Sequence, residues 1–170
     1  MQFNRKIHGR TDYRKRLSLV KSRLPRLVVR KSLKNTLAQI IEFHENGDKI
    51  ILSASTKELE KKYGLKASKK NIPSAYLLGI LVGKKALAKG IKKVILDIGL
   101  YRNIKGSRLY AVLKGSIDAG LDIPHSKEVL PSQDRLEGKH ILDHYQKAKK
   151  EYNIPDLGKH INEIKAKIIK

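Results

Sequence analysis

The stretch RLVVRKSLKNTLAQIIEFHENGDKIILSAS, residues 26–55, decides the fold. It holds three runs rich in apolar and β-branched residues, at 26–31, 37–43 and 49–55, separated by polar breaks. Short strands joined by short links form an antiparallel meander. In the second break Asn46-Gly47 predicts a tight hairpin turn, whose two central residues both take positive φ. Strand alternation then assigns faces. Leu37, Gln39, Ile41 and Phe43 share one side of the second run, and Ile50, Leu52 and Ala54 share one side of the third. In the first run Leu27 and Val29 are expected to meet the core, which leaves Arg26, Val28 and Arg30 together on the opposite face. Two arginines on one face of a core strand require an explanation.

Downstream, the pattern changes to helices. Thr56 is placed to cap a short helix ending at Gly64. NIPSAYLLGILVGKKALAKG, residues 71–90, is a stronger helix, with Pro73 near its start, Gly90 at its end and Leu77, Leu78, Leu81, Val82, Ala86 and Leu87 as its apolar face. KKVILDIG, residues 92–99, is nearly continuous in apolar residues, as a central strand covered on both faces would be. SRLYAVLKGSIDAG, residues 107–120, sets Leu109, Val112, Leu113 and Ile117 in helical register. The expected class is therefore α/β: a mixed sheet, built from the meander and a further strand, packed with helices. Residues 1–24 read as a basic arm, 25–125 as the α/β core and 126–170 as a partly helical extension interrupted by Pro131 and Pro155. Within the arm a flexible start leads to a short basic helix whose apolar positions are Leu17, Val20 and Leu24.

Charge narrows the function. The 170 residues carry 38 Lys and Arg against 16 Asp and Glu, a formal net charge of +22. Residues 1–34 hold twelve bases and one acid, Asp12, so half of that excess lies in a fifth of the chain. Such self-repulsion is relieved by a polyanionic partner, either nucleic acid or an anionic membrane surface. The longest apolar run, Ala75 to Gly83, is too short to span a bilayer, and no apolar stretch follows the charged start as a secretory signal would require. The arm helix has too small an apolar face for a membrane-surface role, so no membrane partner is expected. Cysteine is absent, so neither a disulfide framework nor a thiolate site exists.

The arrangements that would support catalysis fail on spacing. GILVGKK, residues 79–85, has three residues between its glycines where a phosphate loop needs four, and Lys85 where it needs Ser or Thr. Close helix packing is the better reading of Gly79 and Gly83. Asp97, Asp118 and Asp122 do not make a two-metal carboxylate set, because Gly120 separates two of them and no further acid accompanies Asp97. His140 and His144 lack the glutamate and further ligands of a zinc helix. No catalytic residue, metal, cofactor or small-molecule substrate is expected.

Basic residues mixed with aromatic and amide groups point to RNA. Arg10, Arg14, Lys15, Arg16, Lys21, Arg23 and Arg26 are candidate phosphate contacts, and Tyr13 can stack on a base. Lys34 adds charge, while Ser32, Asn35 and Gln39 add neutral hydrogen-bonding groups nearby. Six to eight phosphate contacts would give a log–log salt slope of about −4 to −7. The paired arginines admit two readings at this point: charges that protect an edge strand from aggregation, or an RNA-facing strand surface.

The blocks TDYRKRLSLVKSRLPRLVVRKSLKNTLAQII, GDKIILSAS, ELEKKYGLK, NIPSAYLLGILVGKKAL, VILDIGL and LKGSIDAGLDIPHS, in this order from about Arg10 to Ile141, resemble the archaeal form of the large-subunit ribosomal protein L-eighteen family. The resemblance implies a mixed α/β sandwich with a ribonuclease H-like layout and no catalytic role. It further implies binding to 5S rRNA in the central protuberance of a cytoplasmic ribosome, with 23S-type large-subunit rRNA and neighbouring ribosomal proteins as further partners. It assigns RNA contacts to Thr11, Tyr13, Arg14, Lys15, Arg16, Arg23, Arg26, Arg30, Ser32 and Asn35, and a second contact to Tyr101, Arg102, Lys105 and Arg108. Residues 143–170, at net +3, resemble the family weakly and suggest contact with rRNA or a neighbouring protein. The rival functions are an RNA-processing enzyme and another basic RNA-binding protein.

Overall fold

Strand β1, Arg26–Lys31, lies inside the sheet and pairs on both edges. The computed structural model describes residues 4–148 and 156–169, so the breaker expected at Pro155 falls outside the described residues. β1 runs antiparallel to β2, Thr36–Glu42, which is antiparallel to β3, Lys49–Ser55. On its other edge β1 pairs in parallel with β4, Ile95–Asp97, giving the order β3-β2-β1-β4. The fold is a mixed α/β sheet packed with helices, as the apolar patterning predicts.

Three local expectations change. The hairpin link, residues 43–48, is not a two-residue turn. Gly47 takes φ +130°, but Asn46 does not join it at positive φ, and the Gly47 amide closes the turn on the His44 carbonyl. The buried face of β2 is Thr36, Ala38 and Ile40, the set opposite to Leu37, Gln39 and Ile41. In β3 Leu52 and Ala54 are buried, but Ile50, expected on the same side, is exposed. The cause is a register shift: Ile40 faces Leu52 while Ile41 faces Ile50, so Ile51 is the extra residue of a bulge and the alternation reverses across it. Finally, β4 is an edge strand rather than a central one. Its apolar character reflects burial of flanking Val94 and Ile98, and just before the strand Lys93 bridges to Asp122.

Helices cover one face. Leu27 and Val29 of β1, Ala38 and Ile40 of β2, and Leu52 and Ala54 of β3 form a continuous apolar surface in the core. Against it pack α4, Ile72–Ala88, and α5, Arg108–Asp118. Every residue of α4 from Ile72 to Gly83 is buried, which no one-sided amphipathic reading would require. A Cβ on Gly79 would run into the Val112 carbonyl of α5, and one on Gly115 would run into the Tyr76 carbonyl of α4. Only glycine allows the two backbones to approach this closely. The packing role expected for Gly79 and Gly83 is what the crossing shows.

The remaining helices are α1, Asn4–Ile7; α2, Tyr13–Val20; α3, Thr56–Tyr63; α6, Gln133–Glu137; α7, Lys139–Lys147; and α8, Leu157–Ile169. Thr56 does not cap α3, since Ser55 occupies that position. The Thr56 hydroxyl instead accepts the Thr36 amide at 3.1 Å and ties α3 to β2. Gly64 does end α3, in the left-handed conformation. The last helix, α8, contributes Leu157, Ile161, Ile164 and Ile168 to the same core, spaced along one helical stripe against α4. Lys84 of α4 donates to its last carbonyls, those of Ile168 and Ile169, at 2.7 and 2.9 Å. The C-terminal segment is therefore tied into the main core.

Candidate nucleic-acid interface

The opposite face of the sheet is polar. Arg26, Val28 and Arg30 share this face with Ile41 of β2 and Asp97 of β4, by the register of the two ladders. The basic arm folds over it. Asp12 caps α2 by accepting the Arg14 and Lys15 amides at 3.0 and 3.1 Å, which aligns Lys15, Arg16 and Leu19 towards the sheet. Between arm and sheet lies a cleft of about 640 Å³. Leu19 lines it, whereas Leu17, expected on the apolar side, is 57% exposed. With so short an apolar stripe, the docking of α2 is set by its charges.

Those charges form a chain of alternating sign. Arg16 donates to Asp48 Oδ1 at 3.0 Å, and Arg26 donates to Asp48 Oδ2 at 2.6 Å and to Asp97 Oδ2 at 2.9 Å. Asp97 Oδ1 in turn accepts the Gly99 amide at 2.8 Å. Lys15 reaches the Gly99 carbonyl at 3.1 Å, and Arg30 donates to the carbonyls of Val29 and Asp97. The cleft collects Arg10, Thr11, Lys15, Arg16, Arg26, Arg30 and Tyr101 from the residues expected to contact RNA. It does not use them alike. Arg26, its side chain only 5% exposed and ion-paired twice, is a buried tie between arm, hairpin and sheet. Two carboxylates hold this guanidinium, so the residue expected as a phosphate contact has a structural role within the chain. Asp97, rejected above as a catalytic carboxylate, is one of those partners. Asp118 pairs with Lys114 at 2.8 Å and Asp122 with Lys93 at 3.6 Å, so the three acids serve separate local pairs.

The free charge lies on the outside. Arg10, Arg14, Lys21, Arg23, Lys34 and Arg102 are exposed and have no ion pair with a carboxylate among the described residues. Arg23 takes φ +55°, a left-handed conformation that costs a non-glycine residue about 1 kcal/mol. It sits where the chain turns from α2 into β1, and its side chain is left in solvent. Tyr13 is half-buried on α2.

Other expected contacts take local roles. Ser32 and Asn35 close the β1–β2 turn on each other: the Ser32 hydroxyl donates to the Asn35 carbonyl and accepts the Asn35 amide, each at 2.9 Å. The turn presents Lys34 and Leu33, the latter 90% exposed. Tyr101 accepts the Lys31 amide at 3.2 Å, donates to the Lys31 carbonyl at 2.9 Å, and lies beneath the Lys31 ammonium at 4.9 Å from its ring centre. Lys105 pairs with Glu128 at 2.9 Å. Arg108 lies apart from the arm and donates to the Lys70 carbonyl at 2.9 Å. Reasoning from sequence missed Asp48 and Asp97 as anchors. Asp48 stands in the polar β2–β3 link and Asp97 ends an apolar run, and neither position carries a local sign of the arginine it will meet.

The model of the family described as ribosomal large subunit proteins 60S L5, and 50S L18 matches residues 1–92 and 88–126. The chain belongs to this family. It is thereby a large-subunit ribosomal protein, a component of a ribonucleoprotein that binds rRNA in translation, and the family's role is structural rather than enzymatic. The match spans the arm, the whole sheet and both central helices, so every element that builds the cleft lies within it. No described helix is long and apolar enough to cross a membrane.

Proposed function

We propose that this large-subunit ribosomal protein binds 5S rRNA and helps to anchor it in the central protuberance of the cytoplasmic ribosome. The observation that carries the reading is the division of cations on the arm. Lys15, Arg16, Arg26 and Arg30 bind carboxylates and carbonyls of the protein and hold α2 in place. Arg10, Arg14, Lys21 and Arg23 stay in solvent on the docked arm, and Lys34 stays in solvent on the β1–β2 turn. Placed cations of this kind neutralise phosphates without first having to order a chain. The resemblance to the L-eighteen family supports 5S rRNA as the partner. Residues 1–24 act as the RNA-binding arm and residues 25–125 as its scaffold. The extension from 126 onwards is left for 23S-type rRNA and neighbouring ribosomal proteins.

A gel shift of the full chain with 5S rRNA and with an unrelated structured RNA, across a salt series, tests this. Preference for 5S rRNA that survives rising salt is expected. Equal binding of both RNAs at every salt concentration would reduce the reading to general RNA binding.

A further inference from the structure

The two lysines that end GILVGKK, and Lys89 one turn further on, reach backbone carbonyls at the margins of the fold. Lys84 closes the end of α8. Lys85 and Lys89 turn instead to β3, the outermost strand of the sheet on that side. Lys85 Nζ donates to the Ser53 carbonyl at 3.3 Å, and Lys89 Nζ donates to the Ile51 carbonyl at 2.6 Å. Lys85 also donates to both carboxylate oxygens of Glu58 on α3, at 2.8 and 2.7 Å, which fixes its ammonium beside the strand. The two spacings match. Residues four apart on a helix lie about 6 Å apart along its axis, and residues two apart on a strand lie about 6.6 Å apart. The last turn of α4, antiparallel to β3, therefore sets one lysine against each alternate carbonyl.

An outermost strand presents unpaired amides and carbonyls to any strand that approaches it. The sequence of β3 is poorly equipped to repel one. Ile50 to Ser55 contain no charge, proline or glycine, and Lys49 is the strand's one charged residue. Uncharged stretches of this kind, rich in β-branched and apolar residues, pair readily with copies of themselves. Ser53 is exposed, and its carbonyl turns away from β2, so its amide faces the same open side. A second copy of β3, laid antiparallel about a twofold axis, would offer its amides to these carbonyls. The two ammonium groups already occupy them, and the approaching copy would bring two more like charges to the same edge. The net charge of +22 opposes association everywhere on the chain. These two lysines act where backbone pairing would begin.

We propose that Lys85 and Lys89 close the outer edge of β3 and so prevent the free chain from pairing with a second copy of itself along that strand. The protection lies on α4, in the tertiary structure, and not in the strand's own sequence. It is independent of which RNA the arm binds.

The test compares full chains, purified free of RNA, by size-exclusion chromatography with light scattering and by amide hydrogen exchange. The parent chain is expected to be monomeric, with a Ser53 amide that exchanges fast. Lys85→Met with Lys89→Met removes both ammonium groups at similar side-chain length. It should tighten self-association at least about tenfold and give a dimer in which the Ser53 amide is protected. Lys61→Met with Lys147→Met makes the same change in charge and apolarity at exposed positions elsewhere, and should stay monomeric. Lys85→Arg with Lys89→Arg keeps the donors and should stay monomeric too. If a circular dichroism melt shows that the double Met variant has lost its fold, Lys89→Met alone decides, because Lys89 makes no ion pair among the described residues. It should shift association in the same direction by a smaller amount. A folded Met variant that stays monomeric, a control that associates equally, or a dimer whose Ser53 amide still exchanges freely would overturn the proposal. So would a parent chain already dimeric with that amide protected.

Discussion

The two faces of β1 are covered in opposite ways. On one, Leu27 and Val29 are fully buried under α4 and α5. On the other, Arg26 and Val28 are almost as deeply buried, at 4% and 5% exposure, but under a charged helix held by ion pairs. Equal burial therefore conceals unequal physics. The apolar face gains stability from area removed from water, at about 1.5–3 kcal/mol per large side chain. The ionic face gains little net stability, because desolvating Arg26, Asp48 and Asp97 offsets much of their attraction. What it gains is placement: the arm is fixed with its unpaired cations outward. That difference suggests a core that resists salt and an arm whose docking responds to it.

The sharpest way to break the comparison is at the helix crossing that supports the apolar face. Gly115→Leu would drive a side chain into the Tyr76 carbonyl, and loss of soluble folded protein is expected, read by circular dichroism and expression yield. Next comes the ionic face. Arg26→Ala leaves Asp48 and Asp97 without their buried partner and should cost about 3–5 kcal/mol in urea unfolding. The triple variant Arg26→Met, Asp48→Asn, Asp97→Asn should recover most of that loss. If Arg26→Ala proved neutral for stability while abolishing RNA binding, Arg26 would be a contact and not a tie.

A smaller effect is expected outside. Arg10→Ala with Arg14→Ala should leave the unfolding midpoint unchanged and lower the salt slope of 5S rRNA binding by about 2. The smallest effect concerns His160 of α8. Burial holds its pKa below the ordinary value, with Lys66 and Lys167 acting in the same direction, and its Nε2 accepts the Lys66 amide at 3.2 Å. Above the unfolded-state pKa of about 6.5 both states are neutral and the group contributes no pH dependence. As pH falls below that value the unfolded chain binds the proton first, so stability declines until the folded pKa is passed. Thermal melts at pH 7.5 and 5.5 should show this decline, and His160→Gln should reduce it.

Much of the architecture was legible in residue spacing. The three strands, the buried α4 and the glycine-rich crossing follow from apolar periodicity and from side chains too small to serve any other purpose. The bulge at Ile51 was not legible, because one additional residue in a ladder leaves local composition unchanged while exchanging the faces beyond it. The arm helix was legible from the helical spacing of Leu17, Val20 and Leu24 among bases, but its Asp12 cap and its orientation were not. Leu17 and Leu19 are equally apolar, and only the cleft decides that Leu19 turns inward.

The candidate interface divides in the same way. Composition by itself determined that residues 1–34 are a strongly basic surface needing an anionic partner, since net charge is additive and independent of fold. Alternation determined that Arg26 and Arg30 share a face. Only the tertiary structure decided that Arg26 is enclosed by Asp48 and Asp97 while Arg14 and Arg23 remain in solvent. Those acids lie 22 and 71 residues further along the chain, and contact at such separations is set by sheet register and helix docking, which no local pattern encodes.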